Sequence, residues 1–417
     1  MSVPLSVGIN LADALQDGTV KKMRSFAFIA GLIGAATAAE PFLNEPDTGI
    51  ETYLHGINWT EGTQPQLKDM RGIPDFDFAA RQKLNNSAYA FYRTASGGEW
   101  SYRNNLDVWS KVKFRQRQLS DVTKVNETLK TTILGYNFSA PIFISPAAVA
   151  AHCDPEQAEL NFVKATANEN ILYTAALYAS KTIEEIASAK SNSTVNGLQV
   201  LFQQIYTNDN LSVTWDDIHR AEAVGAKAVV WTIDAPANPV RQRAARYDTT
   251  NANEATSALT WDIYEQMKNQ TSLPIILKGI STVEDALLAQ ERGAKAIYIS
   301  NHGGRQLDHS PSPLEIAYEI HRNAPQLFTE MEILADSGVR YGSDVLKLLA
   351  LGVKAVGMGR PFMYANCYGQ AGVEKAIQIM KTEIAEDAAQ IGITDIQNIS
   401  PKVLNTRALE PNVFLLE

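Results

Sequence analysis

The sequence predicts an α/β fold closed into a (β/α)8 TIM barrel, and three observations predict it. Eight short apolar runs recur between residues 141 and 358. Amphipathic helical stretches separate them. Most of the runs end in polar or charged residues. Near-continuous apolar strands between helices indicate a parallel sheet buried on both faces. Eight such units in about 220 residues suit a barrel, whose chemistry gathers at the C-terminal strand ends. A doubly wound sheet is the rival, but the even spacing and the lack of G-x-G-x-x-G after the first strand weigh against it.

The eight strands are expected at residues 141–145, 171–174, 198–202, 228–232, 274–278, 296–300, 332–336 and 355–358. Helices are expected between them, among them 283–292 and 343–351, and a long one at 372–391. The barrel then occupies 141–390, followed by a tail at 391–417. Before it, 39–140 reads as an irregular arm (40–60), helices including 79–92, and a small β element. Residues 242–259 are polar and rich in Asn, Ala and Thr, which suits a loop over the barrel mouth.

Residues 1–38 carry a secretory leader pattern. Lys21, Lys22 and Arg24 precede an apolar core at 26–36, then Ala36-Thr37-Ala38. Basic flank, short apolar run and A-x-A site are the parts of a signal peptide. The run is too short to span a bilayer. Met23 starts a better leader than Met1 does. Eight asparagines open N-x-S/T triplets: Asn58, Asn85, Asn126, Asn137, Asn192, Asn210, Asn269 and Asn398. With 26 Asn and 52 Ser plus Thr in 417 residues, composition alone gives roughly three such triplets. A secreted or extracellular glycoprotein is the expectation.

The chain is 45% hydrophobic and carries a net charge of −9. It has neither a basic run nor a nucleic-acid motif, so no nucleic-acid partner is expected. Cys153 and Cys367 form no CxxC, so a cysteine metal site is not expected. Their spacing leaves open whether they pair.

The strand ends carry the chemistry. Gln204 and Tyr206 follow the third strand; Thr232, Asp234 and Arg241 follow the fourth; Lys278 ends the fifth. Ser300-Asn301-His302-Gly303-Gly304-Arg305-Gln306-Leu307-Asp308 follows the sixth. Asp336, Gly338 and Arg340 follow the seventh, and Gly359-Arg360-Pro361 the eighth. A base three residues from a fixed cation suits an acid whose carboxylate is gripped while a proton leaves. Glycines and arginines after strands seven and eight are a barrel's usual phosphate site.

These segments resemble the FMN-dependent 2-hydroxy acid oxidase and dehydrogenase family. So do Phe114-Arg115-Gln116-Arg117-Gln118-Leu119, Asp121-Val122-Thr123 and Thr131-Thr132-Ile133-Leu134-Gly135. The resemblance implies FMN as cofactor and oxidation of an (S)-2-hydroxy acid to a 2-oxo acid. It assigns His302 as base, with Asp234 paired to its imidazole. Arg305 and Arg241 hold the carboxylate, and Tyr206 bonds the substrate oxygen. Lys278 sits at the flavin N1/O2 edge, where charge accumulates on reduction. Gln204, Thr232, Ser300 and the backbone of Ala147 and Ala148 contact the flavin. Asp336 binds ribityl hydroxyls, and Gly338, Arg340, Gly359 and Arg360 the phosphate.

The sequence departs from the family at three places. Arg93 replaces a carboxylate-binding tyrosine, with Tyr92 as the alternative in a shifted register. Tyr178 stands where glycolate oxidase has tryptophan, and Ala176 replaces a hydroxyl residue. Arg93 and Tyr178 are therefore counted with the substrate-binding residues, and an added cation suggests a substrate with a second acidic or polar group. No haem domain precedes the barrel, so dioxygen is the expected acceptor, giving hydrogen peroxide. A separate protein or quinone acceptor, a decarboxylating monooxygenase and a non-catalytic flavin-binding protein are the alternatives. By analogy the chain is expected to be a homo-oligomer, tetramer or octamer.

Overall fold

The computed structural model describes residues 48–247 and 258–416. They lie within a single unit that runs from Pro46. The leader pattern at 1–38 and residues 248–257 of the expected mouth loop fall outside the described residues. Eight parallel strands close into a barrel in chain order: β1 (Ile142–Ile144), β2 (Leu172–Ala175), β3 (Leu201–Ile205), β4 (Val229–Thr232), β5 (Ile275–Ile280), β6 (Ala296–Ile299), β7 (Glu332–Ala335) and β8 (Ala355–Met358). β8 pairs with β1 to complete the ring. Nearly every strand residue is buried, as expected of a sheet covered on one face by helices and filled on the other.

The barrel interior is packed by Phe143, Leu172, Phe202, Val230, Ile276, Tyr298, Leu334 and Ala355. A hairpin of Thr131–Ile133 and Tyr136–Phe138 adds Ile133 and Phe138 to that cluster. The Leu134 N–H donates to Glu332 Oε2, 2.9 Å away, at the start of β7. The hairpin therefore plugs the N-terminal end and leaves the opposite end open.

Four sequence expectations are corrected. The third strand starts three residues later than its apolar run, because Gln203 and Gln204 belong to β3 as buried residues. The helix expected at 79–92 is two helices, Ile73–Lys83 and α1 (Asn86–Arg93). Asn85 separates them; its Oδ1 accepts the Ala88 N–H at 2.9 Å and caps α1. The arm expected to be irregular contains the helix Ile50–Gly56, held by buried Ile50 and Leu54. The described part of the mouth loop opens with one helical turn, Gln242–Ala245. The tail is tied back, with Leu404–Asn405 pairing antiparallel with Lys113–Phe114. The helices expected at 283–292, 343–351 and 372–391 are present as Val283–Glu291, Gly342–Leu351 and Gly369–Ile391.

Cys153 and Cys367 form a disulfide with Cα atoms 4.4 Å apart. It joins the loop after β1 to the turn after α3 (Arg360–Ala365). Among the described residues no helix is long and apolar enough to cross a membrane.

Candidate active site

The open end of the barrel holds a cleft lined from several strand ends. The βα loops build it, and α1 and α2 (Trp100–Asp107) buttress it from the N-terminal extension. Its central loop is strained. His302 (φ 58), Gly303 (φ 66) and Gly304 (φ 73) are three consecutive left-handed residues. A β-carbon on Gly304 would lie 2.7 Å from the Tyr102 nitrogen of α2. Hydrogen bonds hold the strain in place. Ser300 Oγ accepts the His302 N–H at 3.0 Å, and Ser337 Oγ accepts the Gly303 N–H at 2.9 Å. Asn301 exchanges two 2.8 Å hydrogen bonds with Asn105 of α2.

Beside this loop, His302 Nδ1 is 2.9 Å from Asp234 Oδ1, and His302 Nε2 is 3.4 Å from the Tyr206 hydroxyl. Gly279 makes the first contact possible. It sits at φ +114 beside an irregularity in β5, and a β-carbon there would lie 2.6 Å from that of Asp234. Burial pushes the imidazole below its ordinary range. Lys278 and Arg241 add to that, and Asp234 opposes it. Burial raises the Asp234 carboxyl, but His302 and Lys278 outweigh it and hold the group net below its ordinary value. The site therefore rests at neutral pH as imidazole beside carboxylate. Burial, with Asp234, raises the Tyr206 hydroxyl, which stays a proton donor. Tyr178 stacks on Tyr206 with ring centroids 5.4 Å apart.

Three guanidiniums crowd the same cleft. Arg305 Nη1 donates to the carbonyls of Phe91, Tyr92 and Thr94 at 2.9, 3.2 and 2.9 Å. Arg360 donates from Nε to Tyr92 O, from Nη1 to Gly303 O and from Nη2 to Thr94 O. Arg241 Nε donates to Arg305 O at 2.8 Å. The terminal carbonyls of α1 thus orient two of the cations. Burial, with Arg360, brings Arg241 down to about 10, still charged at neutral pH, and burial with Arg241 and Arg360 lowers Arg305 as well. Such a concentration of buried positive charge favours an anion.

The remaining walls suit FMN. Lys278 is buried in the second half of β5, with Nζ 3.2 Å from Ser300 Oγ. Gln204 Nε2 donates to Thr232 Oγ1 at 2.9 Å, and its Oε1 accepts the Leu177 N–H, so its amide is fixed. Asp336 accepts hydrogen bonds from Tyr298, Ser300 and Ser337. Ala147, Ala148, Gly338, Arg340, Gly359 and Arg360 line the cleft. A lysine at one end and glycine-arginine loops at the other match a flavin ring and a phosphate.

The structure gathers the expected site residues with one exception. Thr232, Ser300 and Asp234 stand behind the lining, each bonded to a residue in it. Arg93 is elsewhere. It is 2% exposed, its Nη1 is 3.4 Å from Glu99 Oε2, and its guanidinium lies 4.0 Å from the Tyr102 ring centroid. Arg243 approaches the same Glu99 oxygen at 3.6 Å. The buried Glu99 carboxylate holds Arg93 behind the cleft, whose lining it does not join. Tyr92 lines the cleft instead, its hydroxyl donating to Val149 O at 2.6 Å. Phe91, Gln306 and Met363 also line it; their apolar or neutral side chains gave no signal in the sequence.

The model of the FMN-dependent dehydrogenase family matches residues 80–258 and 248–406. Cytochrome-linked L-lactate dehydrogenase of Saccharomyces cerevisiae is 33% identical over 374 residues. The match covers 83% of this chain and 62% of that one, so the chain spans less than two thirds of that relative. Glycolate oxidase of Spinacia oleracea is 31% identical, over 80% of this chain and 95% of that one. 2-Hydroxyacid oxidase 2 of Mus musculus is 33% identical, over 80% and 97%. The flavin-binding domain of baker's yeast flavocytochrome b2 superposes with a TM-score of 0.78 at 32% identity, over 89% of this chain and 94% of that one. The barrel, the cleft and these matches agree: the chain belongs to the FMN-dependent dehydrogenase family, whose cofactor is FMN.

Proposed function

We propose that the protein oxidises an (S)-2-hydroxy acid to the 2-oxo acid and passes the electrons to dioxygen, giving hydrogen peroxide. The observation that carries the reading is His302, paired with Asp234 at 2.9 Å and facing Tyr206 at 3.4 Å, in a cleft also lined by Arg241 and Arg305. The two arginines bind the substrate carboxylate and fix the α-carbon near the imidazole. His302 Nε2 takes a proton from the substrate. Asp234 stabilises the imidazolium that results, and the Tyr206 hydroxyl orients the substrate oxygen. FMN, when bound, supplies the two-electron acceptor, and Lys278 places positive charge beside it. The substrate loses two electrons and two protons; dioxygen gains both to become hydrogen peroxide.

Dioxygen is favoured because relatives named as oxidases align over 95–97% of their own length. The cytochrome-linked relatives make a protein acceptor the second reading. With Arg93 turned away, Phe91, Tyr92 and Tyr178 leave an aromatic wall, which favours a substrate with an apolar side chain over a second carboxylate.

An anaerobic absorption titration with glycolate, L-lactate, L-mandelate and 2-hydroxy dicarboxylates tests this. Flavin bands that bleach with an apolar 2-hydroxy acid and return in air, with peroxide formed, are expected. Bands that bleach but do not return in air refute the oxidase. Bands that no 2-hydroxy acid bleaches refute the activity.

A further inference from the structure

The chemistry of the cleft leaves the eight N-x-S/T triplets unexplained. All eight lie within the described residues, and the structure sorts them. Asn58, Asn85, Asn126, Asn137, Asn192, Asn210, Asn269 and Asn398 are every one exposed. None of the eight hydroxyl residues that complete the triplets is buried. The other fourteen described asparagines behave differently, with only six exposed. Several of those, such as Asn105, Asn161, Asn301 and Asn366, are buried in hydrogen-bonded networks. A surface preference of asparagine as such therefore does not account for the pattern. Triplets in excess of composition, each at the surface, are what selection for a carried glycan leaves.

The local chemistry is compatible at each site where a side-chain bond is present. Asn85 Oδ1 accepts the Ala88 N–H, and Asn210 Oδ1 accepts the Ser212 N–H. Both bonds use the oxygen, which a modified amide retains. Asn269 Nδ2 donates to Glu265 O and Asn398 Nδ2 to Asp395 Oδ2. A substituted amide keeps one N–H, the single donor that each of these bonds uses.

The pairing of Cys153 with Cys367 is independent support. They are the only cysteines of the chain, 214 residues apart, and their disulfide is a feature of an oxidising compartment. The leader pattern at 1–38 points the same way.

We propose that the protein is N-glycosylated at these eight asparagines during passage through the secretory pathway. In the transfer, Nδ2 forms a bond to the anomeric carbon of an oligosaccharide carried on a lipid pyrophosphate. The anomeric carbon–oxygen bond breaks, the lipid pyrophosphate leaves, and the amide gives up one proton. Asn137 lies in the hairpin that plugs the barrel. Asn192 and Asn269 lie in the connections leading into β3 and β5, at the same end. Glycans at these three stand at the closed end of the barrel, whereas Asn85, at the start of α1, and Asn210, in the loop after β3, lie toward the cleft end.

The test is peptide mass mapping of the full protein purified from its own source, before and after release of N-glycans by a glycan amidase in heavy-oxygen water. Released sites become labelled aspartate. Label at most of the eight positions, and at none of the other fourteen, is the expected result. Unlabelled, unmodified asparagine at half or more of the eight overturns the proposal. The outcome does not depend on flavin content or activity, so it stands or falls apart from the proposed reaction.

Discussion

Gly279 and Asp234 are in a relationship that no other residue at position 279 permits. The α-carbon of Gly279 at φ +114 turns an empty face toward Asp234, and a β-carbon would lie 2.6 Å from the Asp234 Cβ and 2.9 Å from its backbone nitrogen. Lys278 and Asp234 both act at the cleft, so the glycine that follows one makes room for the other. Gly279→Ala should move Asp234 and break its 2.9 Å contact with His302. The expected loss in kcat approaches that of Asp234→Asn, about 10²- to 10⁴-fold for a displaced acid–base partner. Steady-state kinetics at matched flavin content check it. An alanine variant with full activity would show that Asp234 is not needed at its position.

The His302 pair also sets a pH dependence. The base works as neutral imidazole, so kcat/KM falls as pH drops through its pKa. Burial, Lys278 and Arg241 put that pKa below the ordinary 6.5. The acid limb should therefore lie below pH 6.5, with no loss between 6.5 and 7.5. Asp234 pulls in the opposite direction, stabilising the charged ring. Asp234→Asn should lower kcat and at the same time move the acid limb further down in pH. A pH profile of the variant checks the sign, and an upward shift would exclude Asp234 as the counter-charge.

Arg93 offers a prediction that separates position in the sequence from position in space. The family resemblance places it where a substrate-binding tyrosine is expected, yet it lies buried between Glu99 and the Tyr102 ring. Arg93→Tyr should leave the ranking of glycolate, lactate and mandelate unchanged. It should instead cost about 3 kcal/mol of stability, because the buried Glu99 carboxylate loses one of its cations. Denaturant unfolding and a substrate panel on the same variant decide this. A changed ranking at unchanged stability would return Arg93 to the cleft.

What the sequence made legible follows from the range of the interactions. The eight strands appear as apolar runs because each strand is buried by its own neighbours. His302, Asp234, Lys278 and the arginines were legible because strand ends in a barrel converge. The register of β3 was not, since Gln203 and Gln204 are polar residues buried by tertiary contact. Nor was the role of Asn105, whose bonds to Asn301 cross 196 residues of chain. The direction of Arg93 depends on Glu99 and Arg243, which only the fold brings together. The pairing of Cys153 with Cys367 is of the same kind.

That disulfide bears on cofactor retention as well as on stability. The loop after β1 that carries Ala147 and Ala148 on the cleft wall continues to Cys153, and α3, which begins with Arg360, leads to Cys367. The bond therefore ties two walls of the cleft at their outer ends. Its removal frees a closed loop of 214 residues in the unfolded chain. The expected cost is about 2–4 kcal/mol. Cys153→Ala/Cys367→Ala should unfold at lower denaturant concentration than the parent, and reductant should shift the parent but not the variant. Because both tethered segments line the cleft, the variant should also release FMN more readily, read as a higher Kd by flavin fluorescence. Equal unfolding midpoints with and without reductant would show that the bond adds nothing to stability, and an unchanged Kd would confine its effect to the loop ends.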